Sequence, residues 1–209
     1  MARRSDHSPQ ELRTMIIDAA ERLVAQGGTS AANAREIAAA IGYTPGTIYN
    51  HFANLDDLIR HVTARTVDGL TAALSSAHES DPVRQLHAMA DAYIAFTTKN
   101  HRLWAAAFEP LPKASATREA WYRATLERPL ALLQDALKPL DPGASEEERR
   151  VAALSTWGAL HGVVTLVEGD GRIGRLDAAP APEMVHFLID CVVAGLAARR
   201  KAARRGRTP

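Results

Sequence analysis

The feature that most constrains the fold is a pair of short, separately capped helices joined by a glycine turn within residues 33–52. Asn33 precedes the first helix, where its side chain can accept a hydrogen bond from a free amide, and Glu36 follows three positions later. Gly42 predicts the end of that helix, because glycine tolerates the left-handed backbone found at helix C-termini. Thr44-Pro45 predicts the next start, with proline at the first helical position.

Longer helices are predicted on both sides of this pair. Ser8-Pro9-Gln10-Glu11 combines a capping serine with a glutamate three positions on, and the apolar spacing that follows predicts a helix over about 9–26, ended by Gly27-Gly28. A fourth helix is predicted from Asn54 to about His78, and its length suits a connector between a small head and a larger body.

The rest of the chain keeps a helical apolar spacing, although Val163–Val167 alone would also suit a short strand. We therefore predict an all-α fold: a three-helix helix-turn-helix head, a connector helix and a larger helical domain. The predicted domains are 1–54, 55–200 and a basic tail, 201–209. The further predicted helices begin at Asp81-Pro82, run over about 102–108 and 117–137 with a possible kink at Pro129, begin again at Ser145, and end with 184–200.

Residues 34–52, Ala-Arg-Glu-Ile-Ala-Ala-Ala-Ile-Gly-Tyr-Thr-Pro-Gly-Thr-Ile-Tyr-Asn-His-Phe, resemble the DNA-binding head of the TetR/AcrR family of regulators. The glycine turn, the Thr-Pro-Gly entry and the Tyr-x-His-Phe ending carry this resemblance, which covers about 9–59. The Trp157-Gly-x-x-His-Gly162 stretch is also similar to the C-terminal domain of one subgroup. The resemblance implies a dimeric, ligand-responsive transcription regulator in which the larger helical domain is a ligand-binding and dimerisation domain. Repression is the family's usual mode of control.

The second short helix is the expected recognition helix. Ile48 and Phe52, four residues apart, are the predicted buried anchors, which leaves polar side chains on the opposite face for bases and phosphates. The resemblance implies that Tyr49 and His51 hold the DNA backbone. Base reading is then expected to fall to Arg35, Thr44, Gly46 and Thr47. The predicted DNA-binding residues are Arg35, Thr44, Pro45, Gly46, Thr47, Tyr49, Asn50 and His51.

Charge in the head is modest for a protein that binds DNA. Residues 1–60 hold six arginines and no lysine against seven acids, a net charge of −1, although no acid lies between Gly42 and Leu55. The family commonly has a lysine where Leu55 stands, so one phosphate contact is lost or replaced. We therefore expect a weak dependence of DNA affinity on salt. Arg3 and Arg4 form either a flexible DNA-binding arm or a disordered end, and the basic tail either contacts a polyanion or is solvated.

A two-fold operator requires two heads, and thus a homodimer. The last two long helices carry small and apolar residues that permit close packing across a dimer interface, although both helices would also suit a domain core. Aromatic residues of the C-terminal part, with one histidine that needs a partner if buried, are predicted to line an effector pocket, or else belong to plain core. They are Tyr93, Phe96, Trp104, Phe108, Trp121, Tyr122, Trp157 and His161.

Other functions have little support. Gly169-Asp-Gly-Arg-Ile-Gly174 matches a dinucleotide-binding pattern, but Pro180 and Pro182 leave no room for the phosphate-facing helix that must follow. We predict no catalytic residue, no cofactor and no metal site, and keep a helical protein-interaction adaptor as the alternative function. A single cysteine, Cys191, expected in the core, and the lack of a signal peptide or an apolar run of about 18 residues predict a cytoplasmic protein.

Overall fold

The computed structural model describes residues 7–109, 120–168 and 180–205, and no strand occurs within these ranges. The all-α prediction is confirmed, and Val163–Val167 lies inside a helix rather than a strand. The helices are α1 (Pro9–Gly27), α2 (Ala34–Ile41), α3 (Pro45–Tyr49), α4 (Leu55–Ser76), α5 (Pro82–Lys99), α6 (His101–Ala106), α7 (Ala120–Leu137), α8 (Glu146–Glu168) and α9 (Ala181–Arg205), with one 3-10 turn at Thr29–Ala31.

Some sequence expectations concern positions outside the described residues. These are the arm at Arg3 and Arg4, the glycine pattern of 169–174, the predicted start of α7 at 117, and the last tail residues, 206–209.

The chain divides into two compact units, the first made of residues 1–68 and 100–125 and the second of 69–99 and 126–209. The helices α4 and α7 each run from one unit into the other, passing from Asp68 to Gly69 and from Thr125 to Leu126.

Local capping sets the helix starts of the first unit. The Ser8 hydroxyl accepts from the amide of Glu11 at 3.2 Å, and the Glu11 carboxylate accepts from the amide of Ser8 at 2.7 Å, so both halves of the predicted capping box form. The Asn33 side chain caps α2, and Asn54 accepts from the amide of Asp57 at 2.8 Å at the start of α4.

The turn between α2 and α3 depends on Gly42, whose φ of 75° lies in the left-handed region that favours glycine. Pro45 occupies the first turn of α3, as predicted. Thr44 stands at the N-cap position, but its hydroxyl does not accept from a helix amide and lies instead 3.4 Å from the Thr47 hydroxyl. The expected capping bond is therefore absent, and both hydroxyls stay near the protein surface.

A segment far along the chain completes the core of the first unit. Leu103 and Ala106 of α6 pack in the same apolar cluster as the side chains of α1 to α4. Arg102 donates to the carbonyl oxygen of Gln26, near the end of α1, and the Thr29 hydroxyl donates to the Glu109 carboxylate. The compact unit around the head therefore extends beyond the predicted domain 1–54.

The second unit is built from α5, α8 and α9, together with residues 69–76 of α4 and 126–137 of α7. The α9 helix packs against both α5 and α8. Two predicted starts are confirmed by their bonds: the Asp81 carboxylate accepts from the amides of Val83 and Arg84, and Ser145 forms a capping box with Glu148. The largest fully buried side chains of this unit are Leu70, Leu86, Thr97, Leu137, Val185 and Ile189.

The last helix is longer than predicted at both ends, and it continues through the first five residues of the basic tail. Arg199 pairs with the Glu148 carboxylate at 3.3 Å, and Arg200 donates to the carbonyl oxygen of Leu140 at 3.5 Å. These two arginines therefore contact residues of their own unit.

Both α8 and α9 carry apolar faces that the described residues leave exposed. Cys191 lies on such a face of α9, so the expectation that it is a core thiol is wrong: the core face of that helix passes through Val185 and Ile189 instead.

Residues 146–167 and 181–202 form two helices that are long and apolar enough to cross a membrane, by length and composition alone. This differs from the sequence expectation that no apolar run of sufficient length occurs. The two helices are weak evidence for a membrane protein, because packing helices of soluble proteins pass the same test.

Candidate functional site

The outward face of α3 is polar and open to solvent. Thr44, Pro45, Gly46 and Asn50 are exposed, Thr47 and His51 are partly exposed, and the Tyr49 side chain is 53% exposed although it is large and aromatic. Arg35 is also exposed, in the first turn of α2. The predicted DNA-binding residues of the first unit are therefore all accessible to a partner.

The opposite face of the same segment holds α3 in place. Ile48 is fully buried and Phe52 is 2% exposed, and both belong to the apolar cluster of the first unit, as predicted. After α3 ends, the amides of His51 and Phe52 each donate to the carbonyl oxygen of Ile48 at 3.0 Å, which continues the turn to Phe52. A short rod with one buried and one exposed face results.

Leu55, where the family commonly has a lysine, packs against the apolar cluster while partly buried. An apolar contact inside the protein therefore replaces a possible phosphate contact at this position.

The predicted effector residues fall into both compact units. Trp104, Phe108, Trp121 and Tyr122 belong to the first, and Tyr93, Phe96, Trp157 and His161 to the second. In the first unit, Trp104 meets Phe108 edge to face with ring centroids 5.3 Å apart. Trp121 meets Tyr122 in the same manner at 5.5 Å.

In the second unit, three of these residues come together. The hydroxyl of Tyr93, which is 4% exposed, lies 2.9 Å from Nδ1 of His161, and the Trp157 ring stacks on the His161 ring at 5.8 Å. Burial lowers the pKa of His161, because a charged imidazole loses hydration there. Phe96 lies against α4, where a Cβ on Gly69 would come within 3.2 Å of its ring.

Two clusters escaped the sequence prediction, since their members are distant along the chain. In the first unit, Arg13 bonds to the backbone of His51 and to the ring of His61. In the second, His87 meets Asp190 at 3.0 Å and His186 meets Asp91 at 2.7 Å, which joins α5 to α9 twice. No group of three His, Cys, Asp or Glu side chains suited to a metal ion occurs in the part of the chain that the structure describes.

A helical protein with an exposed, polar recognition rod on a helix-turn-helix head and a separate helical unit belongs to the class of DNA-binding regulators. Residues 16–62 match the bacterial regulatory proteins of the tetR family, and residues 86–192 match the tetracyclin repressor-like C-terminal domain. The second match alone spans more than half of the 209 residues, so the chain belongs to the tetR family.

Curated relatives match part of this chain. The HTH-type transcriptional regulator AcrR of Shigella flexneri is 44% identical over 62 residues, which are 30% of this chain and 29% of that protein. The HTH-type transcriptional regulator TtgR of Pseudomonas putida is 37% identical over 86 residues, 40% of this chain and 41% of that protein. The matches thus span less than half the length of these relatives, which are regulators and not enzymes.

Solved structures show the same fold over nearly the whole chain. A protein with unknown function from Rhodococcus sp. RHA1 aligns with a TM-score of 0.73 at 24% identity, covering 94% of this chain and 100% of that one. The fatty acid degradation regulator FadR of Bacillus halodurans aligns with a TM-score of 0.63 at 23% identity, covering 87% and 94%. At this identity the likeness concerns the fold alone.

Proposed function

We propose that this protein is a homodimeric transcription repressor of the cytoplasm that binds operator DNA through α3 and is released by a small-molecule effector. The observation that carries the DNA-binding part is the two-faced recognition segment: Ile48 and Phe52 are buried, while the polar side chains of 44–51 are exposed. The adaptor alternative is not favoured, because an adaptor does not need this segment and the relatives are named HTH-type transcriptional regulators.

The chemistry of the exposed face suits a duplex groove. Thr44, Thr47 and Asn50 offer hydroxyl and amide groups that bond to base edges or phosphate oxygens, and Arg35 adds a guanidinium. Tyr49 and His51 suit the role of backbone contacts, which position the head without reading sequence. Because the head carries a net charge of −1 over residues 1–60, few phosphates are neutralised, and operator affinity is expected to fall only modestly as salt is raised.

The dimer interface that we propose is the exposed apolar face shared by α8 and α9. Four large apolar side chains are exposed there, and Phe187 is the most exposed of them at 72%. Removing such side chains from water is the main favourable contribution to stable association. The four are Val151, Leu154, Leu166 and Phe187.

Small residues on the same two helices favour close packing between copies. A Cβ built on Gly158, Gly162 or Gly195 meets no atom within 4 Å, so open space lies outside each of them. Helices of a second copy can therefore approach these positions closely, and this accounts for the apolar composition of α8 and α9 without a membrane.

The group formed by Tyr93, Trp157 and His161 is the best-supported part of the proposed effector site. The His161 ring, whose pKa is lowered by burial, bonds to a tyrosine hydroxyl and stacks on an indole, so the group presents mainly aromatic surface. Such a surface favours an uncharged, planar effector over an ionic one. We propose that effector binding shifts α4, a continuous helix from Leu55 to Ser76, and so changes the positions of the two heads.

The test of DNA binding begins with selection of duplexes from a random pool of about 30 base pairs, long enough for two half-sites, by the purified full-length protein. Against the selected duplex, Asn50→Ala is expected to weaken binding by about tenfold, since a base-edge or phosphate bond is lost. Gln10→Ala, at an exposed position of α1, is the matched control and is expected to leave affinity unchanged. Mobility shift assays measure both.

Failure to enrich any sequence, or equal affinity of the wild-type protein for selected and scrambled duplexes, would contradict the proposed function. A selected duplex without two-fold symmetry would contradict the dimeric mode of binding, because two related heads read two related half-sites.

A further inference from the structure

We infer that Arg13 is a positioning residue for the recognition segment, and that Trp121 of α7 controls it through His61. This inference rests on the proposed function and adds the route by which the head is held in its DNA-binding orientation. All the residues concerned belong to the first compact unit.

Arg13 lies where it holds the carboxyl end of the recognition segment. Its Nη1 donates to the carbonyl oxygen of His51, and the guanidinium carbon lies 4.2 Å from the centroid of the Phe52 ring. The first contact satisfies a carbonyl that follows α3, and the second is a cation–π interaction with its buried anchor. One partly buried side chain on α1 therefore holds both the backbone and the anchor of the segment.

The same guanidinium is itself held from α4. Its Nη2 lies 2.6 Å from Nε2 of His61, and since a guanidinium only donates, that imidazole nitrogen must accept. His61 also meets the Phe52 ring edge to face, with centroids 5.6 Å apart, and its Nε2 lies 4.0 Å from the Asp57 carboxylate. The orientation of the His61 ring thus determines where Arg13 can donate.

The ring of His61 is oriented by α7. Trp121 stacks on it almost in parallel, with centroids 4.6 Å apart and an angle of 10° between the planes. Trp121 stands in the first turn of α7, which continues at Thr125 into the second unit. A movement of α7 would therefore turn the His61 ring, break its bond with Arg13 and release the His51 carbonyl.

The first experiment compares two arginines that both join α1 to α4. Arg65 on α4 donates to Asp18 and Glu21 on α1, but none of these residues touches the recognition segment in any described contact. Arg13→Gln and Arg65→Gln remove the same charge and one interhelical link each. On the selected duplex, Arg13→Gln is expected to weaken binding about tenfold and Arg65→Gln less than about twofold.

Two further variants separate positioning from charge and from simple packing. Arg13→Lys keeps the charge but cannot donate in two directions from a rigid fork, so it is expected to behave like Arg13→Gln. Trp121→Leu is expected to weaken binding about fivefold, and Trp121→Phe, which keeps an aromatic ring over His61, is expected to restore most of the affinity.

The fluorescence of Trp121 is a readout that would not change on DNA binding if Arg13 only stabilised the fold. In a Trp104→Phe and Trp157→Phe background, Trp121 is the sole tryptophan, since the chain has three. The inference expects its emission to change on addition of the selected duplex and not of a scrambled one, and expects Arg13→Gln to abolish that change at saturating DNA.

Equal losses of affinity in Arg13→Gln and Arg65→Gln, or an unchanged Trp121 emission with bound operator, would overturn the inference. Either outcome leaves the proposed function intact, because that function fails only if the wild-type protein selects no duplex.

Discussion

The exposed faces of the two compact units have opposite chemistry. The first unit exposes hydroxyl, amide and imidazole groups around α3, whereas the second exposes large apolar side chains on α8 and α9. Polar groups remain hydrated until a partner replaces water with equivalent bonds, so they provide selectivity. Exposed apolar side chains gain about 1.5 to 3 kcal/mol each when fully buried, so they provide affinity. The contrast supports the proposal that one surface selects a sequence while the other holds two copies together.

The largest expected effect comes from making the apolar face polar. Phe187→Asp places a charge where the proposed dimer buries an aromatic ring, and is expected to weaken dimerisation at least about 100-fold. Analytical ultracentrifugation of the full-length protein measures the dissociation constant. Operator affinity is expected to fall in parallel, because both heads are needed on one duplex.

The matched control for this change is Ala95→Asp, at an exposed position of α5. It adds the same charge outside the proposed interface and is expected to leave the oligomeric state unchanged. If the Phe187→Asp protein sediments as the wild type does, the dimer interface lies elsewhere. The proposed role of the apolar face of α8 and α9 would then be contradicted.

A smaller effect is expected from the two helix caps, one in each unit, because both caps form by the same short-range bonds. Ser8 and Ser145 cap α1 and α8 with the same bonds to Glu11 and Glu148. Replacing either serine by alanine is expected to lower the free energy of unfolding by about 1 kcal/mol. Urea titration measures the loss, and hydrogen exchange shows whether each change stays within the capped helix.

The same boxes predict a dependence on pH. Bonds donated by Ser8, the one from its backbone amide first, lower the pKa of Glu11, and those of Ser145 lower the pKa of Glu148. A lowered carboxyl pKa gives stability that is present above the unfolded value of about 4.5 and is lost as pH falls through the folded value. Ser8→Ala keeps the backbone amide and removes only the hydroxyl, so it is expected to raise the Glu11 pKa part of the way to the unfolded value. An NMR titration that finds the Glu11 pKa unchanged in this variant would contradict the contribution of the hydroxyl.

The smallest effect concerns His161. Because burial lowers its pKa below the usual 6.5, the folded protein resists its protonation, and stability is expected to decline as pH falls below about 6.5. His161→Gln is expected to flatten that decline, and His78→Gln, at an exposed position, to leave it unchanged. Thermal unfolding between about pH 5 and 8, the range in which histidine titrates, compares the three proteins. Identical slopes of stability against pH for all three proteins would contradict a lowered pKa of His161.

Much of the first unit was predictable because its signals are short in range. Capping residues act within four positions of the helix start, and the four-residue spacing of Ile48 and Phe52 directly implies a shared buried face. The same reasoning was less complete in the second unit. An apolar stripe such as that of α9 fits a domain core and a dimer interface equally well, and for this reason Cys191 was wrongly expected inside.

By itself, the sequence determined where most helices begin and which face of the recognition segment is buried, since both depend on neighbours a few residues away. Only the tertiary structure decided that α6 completes the core around the head, and that Arg13 joins His51 to His61 across separations of 38 and 48 residues. The physical reason is that one guanidinium or aromatic ring suits many partners. Which partner it meets depends on how distant helices pack, and no local pattern encodes that choice.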